Sequence, residues 1–253
     1  PNRPLSRRRA REVDSDVDRD EEGRRRRGRS IDSSSPVLMV ARDDGRDDDG
    51  GEDGVPAAGR GRARPGSRLS VAPGFDVTTP YYRALCRQFT SRARLWTEMA
   101  HHDCVERLKS RTMTRGESRV TAQLGGACPN GLARASEILE SEYGYDEVNL
   151  NCGCPSDRVV SKKDDSKCFG AMMMMNPEKT AECTRRMAEA TDDAKITIKH
   201  RLGVRFDKTM TKEEETDTYE YCVNFVETIR EAAGVDHFIV HARAAVMGGL
   251  NPD

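Results

Sequence analysis

The run Asn149-Leu150-Asn151-Cys152-Gly153-Cys154-Pro155-Ser156-Asp157-Arg158 gathers residue types that can do chemistry. A polar strand end turns through Gly153 and presents Cys154 directly before a proline. Glycine and proline fix such a loop, so the thiol is held at a defined position. A cysteine held this way can act as a nucleophile or as a proton donor. A buried thiol filling a gap is the alternative that the local residues leave open. Cys152 and Cys154 are spaced C-x-C, while Cys128 and Cys168 stand apart. Structural zinc sites use C-x2-C pairs, alone or with histidines; no such pair occurs, so no metal site is expected. Eight cysteines without a secretory leader fit an intracellular, reducing compartment better than a disulfide framework.

Glu98, Gln123, Asn151, Lys199 and His241 are the other candidates, and each closes a different expected strand. Apolar runs predict strands over 69–73, 94–99, 120–124, 147–151, 196–200 and 237–241. Between them, helical periodicity predicts helices over 79–90, near 102–108, and over 129–143, 177–190 and 218–233. Leu132, Ala135, Ile138 and Leu139 form the apolar face of the third, with Gly144 at its end. Pro177 fits the first turn of the fourth. Alternation of this kind builds parallel βαβ units. In an open doubly wound sheet the five polar strand ends would be spread along an edge. In a (β/α)8 TIM barrel they converge on one mouth, where such folds place their active sites. The expected fold is therefore an α/β barrel with about six β/α units present.

Residues 1–68 differ in kind. They contain 17 arginines and 15 acidic residues, and no lysine, histidine, cysteine or aromatic residue. Such a segment cannot bury enough apolar surface to offset the entropy of ordering it. It is expected to be a disordered charged arm ahead of a catalytic domain at 69–253. Organelle leaders are Arg-rich but poor in acidic residues, so cytoplasm and organelle both remain open. No stretch reaches the ~18 apolar residues of a membrane helix, so no membrane partner is expected, and no obligate protein partner either. The formal charge of −1 gives no sign of strong nucleic-acid binding.

The segment N-L-N-x-G-C-P-S-D-R-V is similar to the signature of tRNA-dihydrouridine synthases, in particular their DusA-like branch. Five further blocks resemble the same family in the same order: Val71-Ala72-Pro73 with Asp76-Val77-Thr78, Trp96-Thr97-Glu98-Met99, Gln123-Leu124-Gly125-Gly126, Lys199-His200-Arg201-Leu202-Gly203 and Val240-His241-Ala242-Arg243. The resemblance implies a barrel that holds FMN, with NADPH as reductant and a uridine of tRNA as substrate. It implies that hydride goes to C6 of the uracil and that Cys154 protonates C5. A free thiol ionises near 8.5 and is mostly protonated at neutral pH, as a donor must be. Pro73, Gly74, Phe75, Gln123, Lys199 and His241 are then flavin contacts, with Lys199 beside the N1/O2 edge of the ring. Asn151 and Arg243 face the tRNA, and His200 and Arg201 form walls. Cys152 stands at a position where the family has an aliphatic residue and reads as packing.

Departures from the pattern accompany the matches. Gly74 replaces a usual methionine, and 161–166 and 209–217 look like insertions, with Lys162, Lys163 and Lys167 in or beside the first. Ala244-Ala245-Val246-Met247 stands where basic and tryptophan residues are usual. Met172–Met175 suggests core packing or a lid, and His101, His102 and His237 have no assigned role. The last two strands and the phosphate site they build are expected beyond residue 253, as is a helical tRNA-binding domain. Two other readings share features with this one. One is a flavin barrel acting on free pyrimidines, of the dihydroorotate or dihydropyrimidine dehydrogenase kind; the other is an inactive RNA-binding remnant.

Overall fold

The computed structural model describes residues 39–40, 69–107, 111–156, 168–206 and 218–247. The chain divides into two units, 1–33 and 34–253, and every described residue lies in the second. Of the expected arm, Met39–Val40 is described as a two-residue strand antiparallel to Leu69–Ser70. The rest of 1–68 lies outside the described residues, as do Asp157, Arg158 and the two expected insertions.

Six strands follow one another: β1 (Leu69–Ser70), β2 (Leu95–Trp96 resumed as Ala100–His101), β3 (Val120–Gly125), β4 (Glu147–Cys152), β5 (Lys195–His200) and β6 (Phe238–Val240). Ser70 bridges Arg94 in parallel, and each later strand pairs in parallel with the next. Spatial order is thus chain order. A doubly wound sheet must reverse its order at a switch point, and here no reversal occurs. The sheet is the arc of an incomplete (β/α)8 barrel.

Helices α1 (Pro80–Phe89), α2 (His102–Glu106), α3 (Pro129–Ser141), α4 (Pro177–Glu189) and α5 (Tyr219–Ala233) fill the connections. Their starts follow from local chemistry. Thr79, Asn176 and Thr218 accept the N–H groups of Tyr82, Lys179 and Tyr221, and proline opens α1, α3 and α4. α2 is shorter than expected, and the segment 111–117 carries the chain back toward β3. Arg83 of α1 is buried against that segment; it donates to the carbonyls of Thr78 (2.7 Å) and Thr112 (2.8 Å) and pairs with Glu117 at 2.6 Å.

Period-two alternation divides β3, β4 and β5 into two faces. Ala122, Val148 and Ile196 share one level of the sheet, and Leu124, Leu150 and Ile198 another. These apolar residues join Leu132, Leu139, Met187, Phe225 and Ile229 of the helices in one buried core. Met173 and Met174 enter that core from the 3-10 turn Gly170–Met175, while Met175 is exposed. Three of the four methionines therefore pack, Met172 more loosely. The opposite face carries Gln123, Asn149 and Thr197 at one level, with Asn151 and Lys199 above.

Candidate active site

The interior face is a continuous polar ladder. At its lower end Arg94 pairs with Asp146 at 3.1 Å and with Glu147 at 3.3 Å. Glu147 accepts from the Thr197 hydroxyl at 3.1 Å, and that hydroxyl accepts from the Asn149 amide at 3.0 Å. Asn149 in turn accepts from Gln123 Nε2 at 3.0 Å, and Gln123 Oε1 accepts from Asn151 Nδ2 at 2.9 Å. Gln123, Asn149 and Thr197 are almost fully buried, so these bonds satisfy groups that water cannot reach. Sequence reasoning found Gln123 and Asn151 but missed Asn149, Thr197 and Glu147. The alternating polar positions of Glu147-Val148-Asn149-Leu150-Asn151 were the available signal.

At the top of β4, Asn151 Oδ1 accepts the N–H groups of Gly153 at 2.9 Å and Cys154 at 3.0 Å. One side chain thereby closes the loop that presents the thiol and joins it to Gln123. The loop is held from two further directions. Arg201 Nε donates to the Gly153 carbonyl at 3.0 Å, and the Ala171 N–H to the Cys154 carbonyl at 2.9 Å. Cys154 itself is half-buried, whereas Cys152 is fully buried on the helix-facing side of β4. Burial, with Cys183 nearby, raises the Cys152 thiol well above its ordinary range.

On the adjacent strand β5, Lys199 sits level with Asn151 and with Ile239 of β6. Burial, and then repulsion from Arg201, lowers its ammonium to about 8 against the pull of Cys154. Burial, followed by Arg201, Lys199 and Arg243, lowers the His241 imidazole to about 4, so the ring is neutral at physiological pH. Arg201 also feels Cys154 and Arg243. Cys154, Lys199, Arg201, His241 and Arg243 thus share one electrostatic neighbourhood. His200 feels Lys199 too, but it faces away from the mouth. Alternation turns its ring to the helix side, fully buried beside Phe225 (5.3 Å) and Phe238 (6.0 Å), so it is not a wall of the mouth.

The expected cofactor turn 73–75 follows β1. Thr78 stitches it, with its hydroxyl accepting the Gly74 N–H at 3.1 Å, and Phe75 is exposed. Its link to the mouth runs through β2. Leu95 lies opposite Val120 but Ala100 opposite Leu124, so β2 has one extra residue. Such a bulge re-aims side chains. Thr97 Oγ1 accepts the Gln123 N–H at 3.0 Å, and Glu98 Oε1 reaches the Asp76 N–H at 2.7 Å.

The donor set at the mouth fits a planar anionic group. A partly buried ammonium and a neutral imidazole feel one another at this end of the sheet, the Asn151 carboxamide is level with the ammonium, and among the described residues no carboxylate pairs with Lys199. A family model described as dihydrouridine synthase matches residues 70–251. The chain is 39% identical over 186 residues to a tRNA-dihydrouridine(20/20a) synthase of Shewanella oneidensis, covering 73% of this chain and 50% of that protein. It is 39% identical over 187 residues to a protein of the same name from Synechocystis, covering 73% and 51%. A third, from Xanthomonas axonopodis, is 41% identical over 188 residues, covering 73% and 51%. The chain spans about half the length of these curated relatives.

Proposed function

This chain belongs to the dihydrouridine synthase family, and on that premise we propose that the protein reduces specific uridines of tRNA to 5,6-dihydrouridine. Bound FMN, itself reduced by NADPH, would supply the hydride that goes to C6 of the uracil. Cys154 holds the proton that C5 receives. Hydride at C6 leaves enolate-like charge on the ring, and a proton donor at C5 quenches it.

The observation that carries this reading is the bracing of the Cys154 loop by Asn151 and Arg201 opposite Lys199. A loop that only filled a gap would need neither two side-chain braces nor a neighbouring buried cation. Lys199 is suited to the N1/O2 edge of a flavin, where fixed positive charge stabilises the reduced ring. His241 would offer a neutral polar contact to the flavin, Gln123 would serve the ring from the ladder below by holding Asn151, and Pro73, Gly74 and Phe75 would form the turn beneath. Arg243 and Arg201 supply charge for tRNA phosphates, with Asn151 nearest the nucleotide. A reducing compartment suits a site that depends on a thiol. No helix among the described residues is long and apolar enough to cross a membrane.

The test is direct. The purified protein is given NADPH and tRNA isolated from a strain that lacks dihydrouridine, and the digested nucleosides are analysed by mass spectrometry. Dihydrouridine in tRNA, without reduction of free uracil or orotate, is the expected result. Reduction of the free pyrimidines alone would favour a dehydrogenase of that kind.

A further inference from the structure

A second group of side chains, at the junction of β2 and α2, takes no part in the proposed reaction. His101 closes β2 and His102 opens α2, followed by Asp103 and, one turn on, Glu106. His102 is buried, and its Nδ1 makes no hydrogen bond among the described residues. Yet Asp103 Oδ1 lies 3.1 Å from that nitrogen and Glu106 Oε1 3.6 Å from it. His101 Nδ1 is 3.6 Å from the other oxygen of Asp103. The donor atoms of His101, His102 and Asp103 all fall within 4.8 Å of one another. Bonds of about 2.0–2.1 Å in a tetrahedral zinc site place neighbouring donors about 3.3 Å apart; the pairs at 3.1 and 3.6 Å lie close to that spacing, and the rest of the cluster needs only a small closure to reach it.

The His102 ring is fixed in place. It fills a slot between Gly126, at φ +149, and Gly131, where a Cβ would come within 2.3 Å and 2.5 Å of ring atoms. Its orphaned nitrogen therefore cannot turn to find another partner, and an unpaired buried polar atom is destabilising. Asp103 is half-exposed and His101 partly so, which leaves a route from solvent. Arg134 grips Glu106 at 3.1 Å and orients its carboxylate.

We propose that His101, His102, Asp103 and Glu106 form a binding site for a zinc-class divalent cation. Two imidazoles and two carboxylates suit zinc and its first-row neighbours, without any sulfur ligand. The role is structural. The His101 ring lies 5.2 Å from that of Phe169, which immediately precedes the turn whose Ala171 bonds Cys154. A bound ion would pin this rim of the mouth. Cysteine spacing alone could not reveal the site, because its donors are adjacent histidines and carboxylates.

Cobalt is the probe. The full chain is stripped with chelator and titrated with Co²⁺ while its visible and near-ultraviolet spectra are recorded. One equivalent should bind with the visible bands of tetrahedral cobalt and no thiolate charge-transfer band. His101→Ala and Asp103→Asn, both at accessible positions, should abolish those bands while keeping the parent's circular dichroism. Cys104→Ser should leave them intact. The proposal fails if cobalt binds the parent no better than His101→Ala. It fails equally if the spectrum shows thiolate ligation that disappears with Cys104→Ser or Cys128→Ser.

Discussion

Asn151 Nδ2 donates to Gln123 Oε1 at 2.9 Å, and the Oδ1 of the same side chain accepts the Cys154 N–H at 3.0 Å. The interior ladder and the thiol loop therefore meet in one carboxamide. Removing it in Asn151→Ala leaves two loop N–H groups without their acceptor, and the thiol loses its fixed position. A misplacement of about 1 Å can cost about 10²-fold in rate, and a fall of that order in dihydrouridine formation is expected. Asn151→Asp keeps an acceptor for both N–H groups and should retain more activity than Asn151→Ala. Single-turnover assays with the two variants check the order.

Cys154 and Cys152 are separated only by Gly153, but Cys152 ends β4 buried in the core while Cys154 is half-buried in the loop beyond the strand. Cys154→Ala should leave flavin binding and its reduction by NADPH intact, since neither needs a proton at uracil C5. Product formation should fall by about 10²–10⁴-fold, the usual contribution of a general acid. Cys152→Ala removes a buried sulfur from the core and should cost about 1 kcal/mol of stability, with activity within a few-fold of the parent. Comparing product yield with urea unfolding for each variant separates the two roles. The reverse pattern would mean that the motif is registered wrongly on the chemistry.

Much of this organisation is legible in the amino-acid pattern. The six strands and five helices named above occur in the expected order, with β1 and α2 shorter and β2 interrupted, because short β-rich runs and amphipathic helices are local signals. Gln123, Asn151, Lys199 and His241 are visible because polar residues at strand ends are unusual. The interior ladder is harder to read, because the partnership of Asn149 with Thr197 depends on register between strands 48 residues apart. The bulge in β2 is likewise invisible without the opposing strand. His200 misleads for a related reason: next to Lys199 in sequence, it is turned to the other face by the pleat. The slot around His102 needs Gly126 and Gly131 brought together by folding.

Arg83 is a buried cation whose hydrogen bonds tie the turn after β1 to the 111–117 segment. Breaking a buried pair by removing one partner usually costs about 3–5 kcal/mol. Arg83→Met should lose stability in that range and weaken flavin retention, because Thr78, which stitches the 73–75 turn, loses its anchor. Arg83→Lys keeps the charge but not the forked geometry and should fall between. Urea denaturation, together with flavin released on gel filtration, provides both readouts.

Lys199 carries opposite consequences for stability and for activity as pH rises. Burial and Arg201 lower its folded value to about 8 from the ordinary 10.5. Below pH 8 both folded and unfolded chains hold the proton, and the burial of the cation is a standing cost. Between pH 8 and 10.5 the unfolded chain binds the proton that the folded chain has released. Stability therefore rises with pH across that window. The cation itself is lost as pH passes 8, so affinity for an anionic reduced flavin should fall there. Lys199→Arg keeps its charge and should flatten the fall, while Lys199→Met should remove both effects. Urea unfolding and flavin binding, measured on either side of pH 8 for parent and variants, give the comparison. A parent and a Lys199→Met variant with the same pH dependence in both measurements would show that Lys199 is not the group responsible.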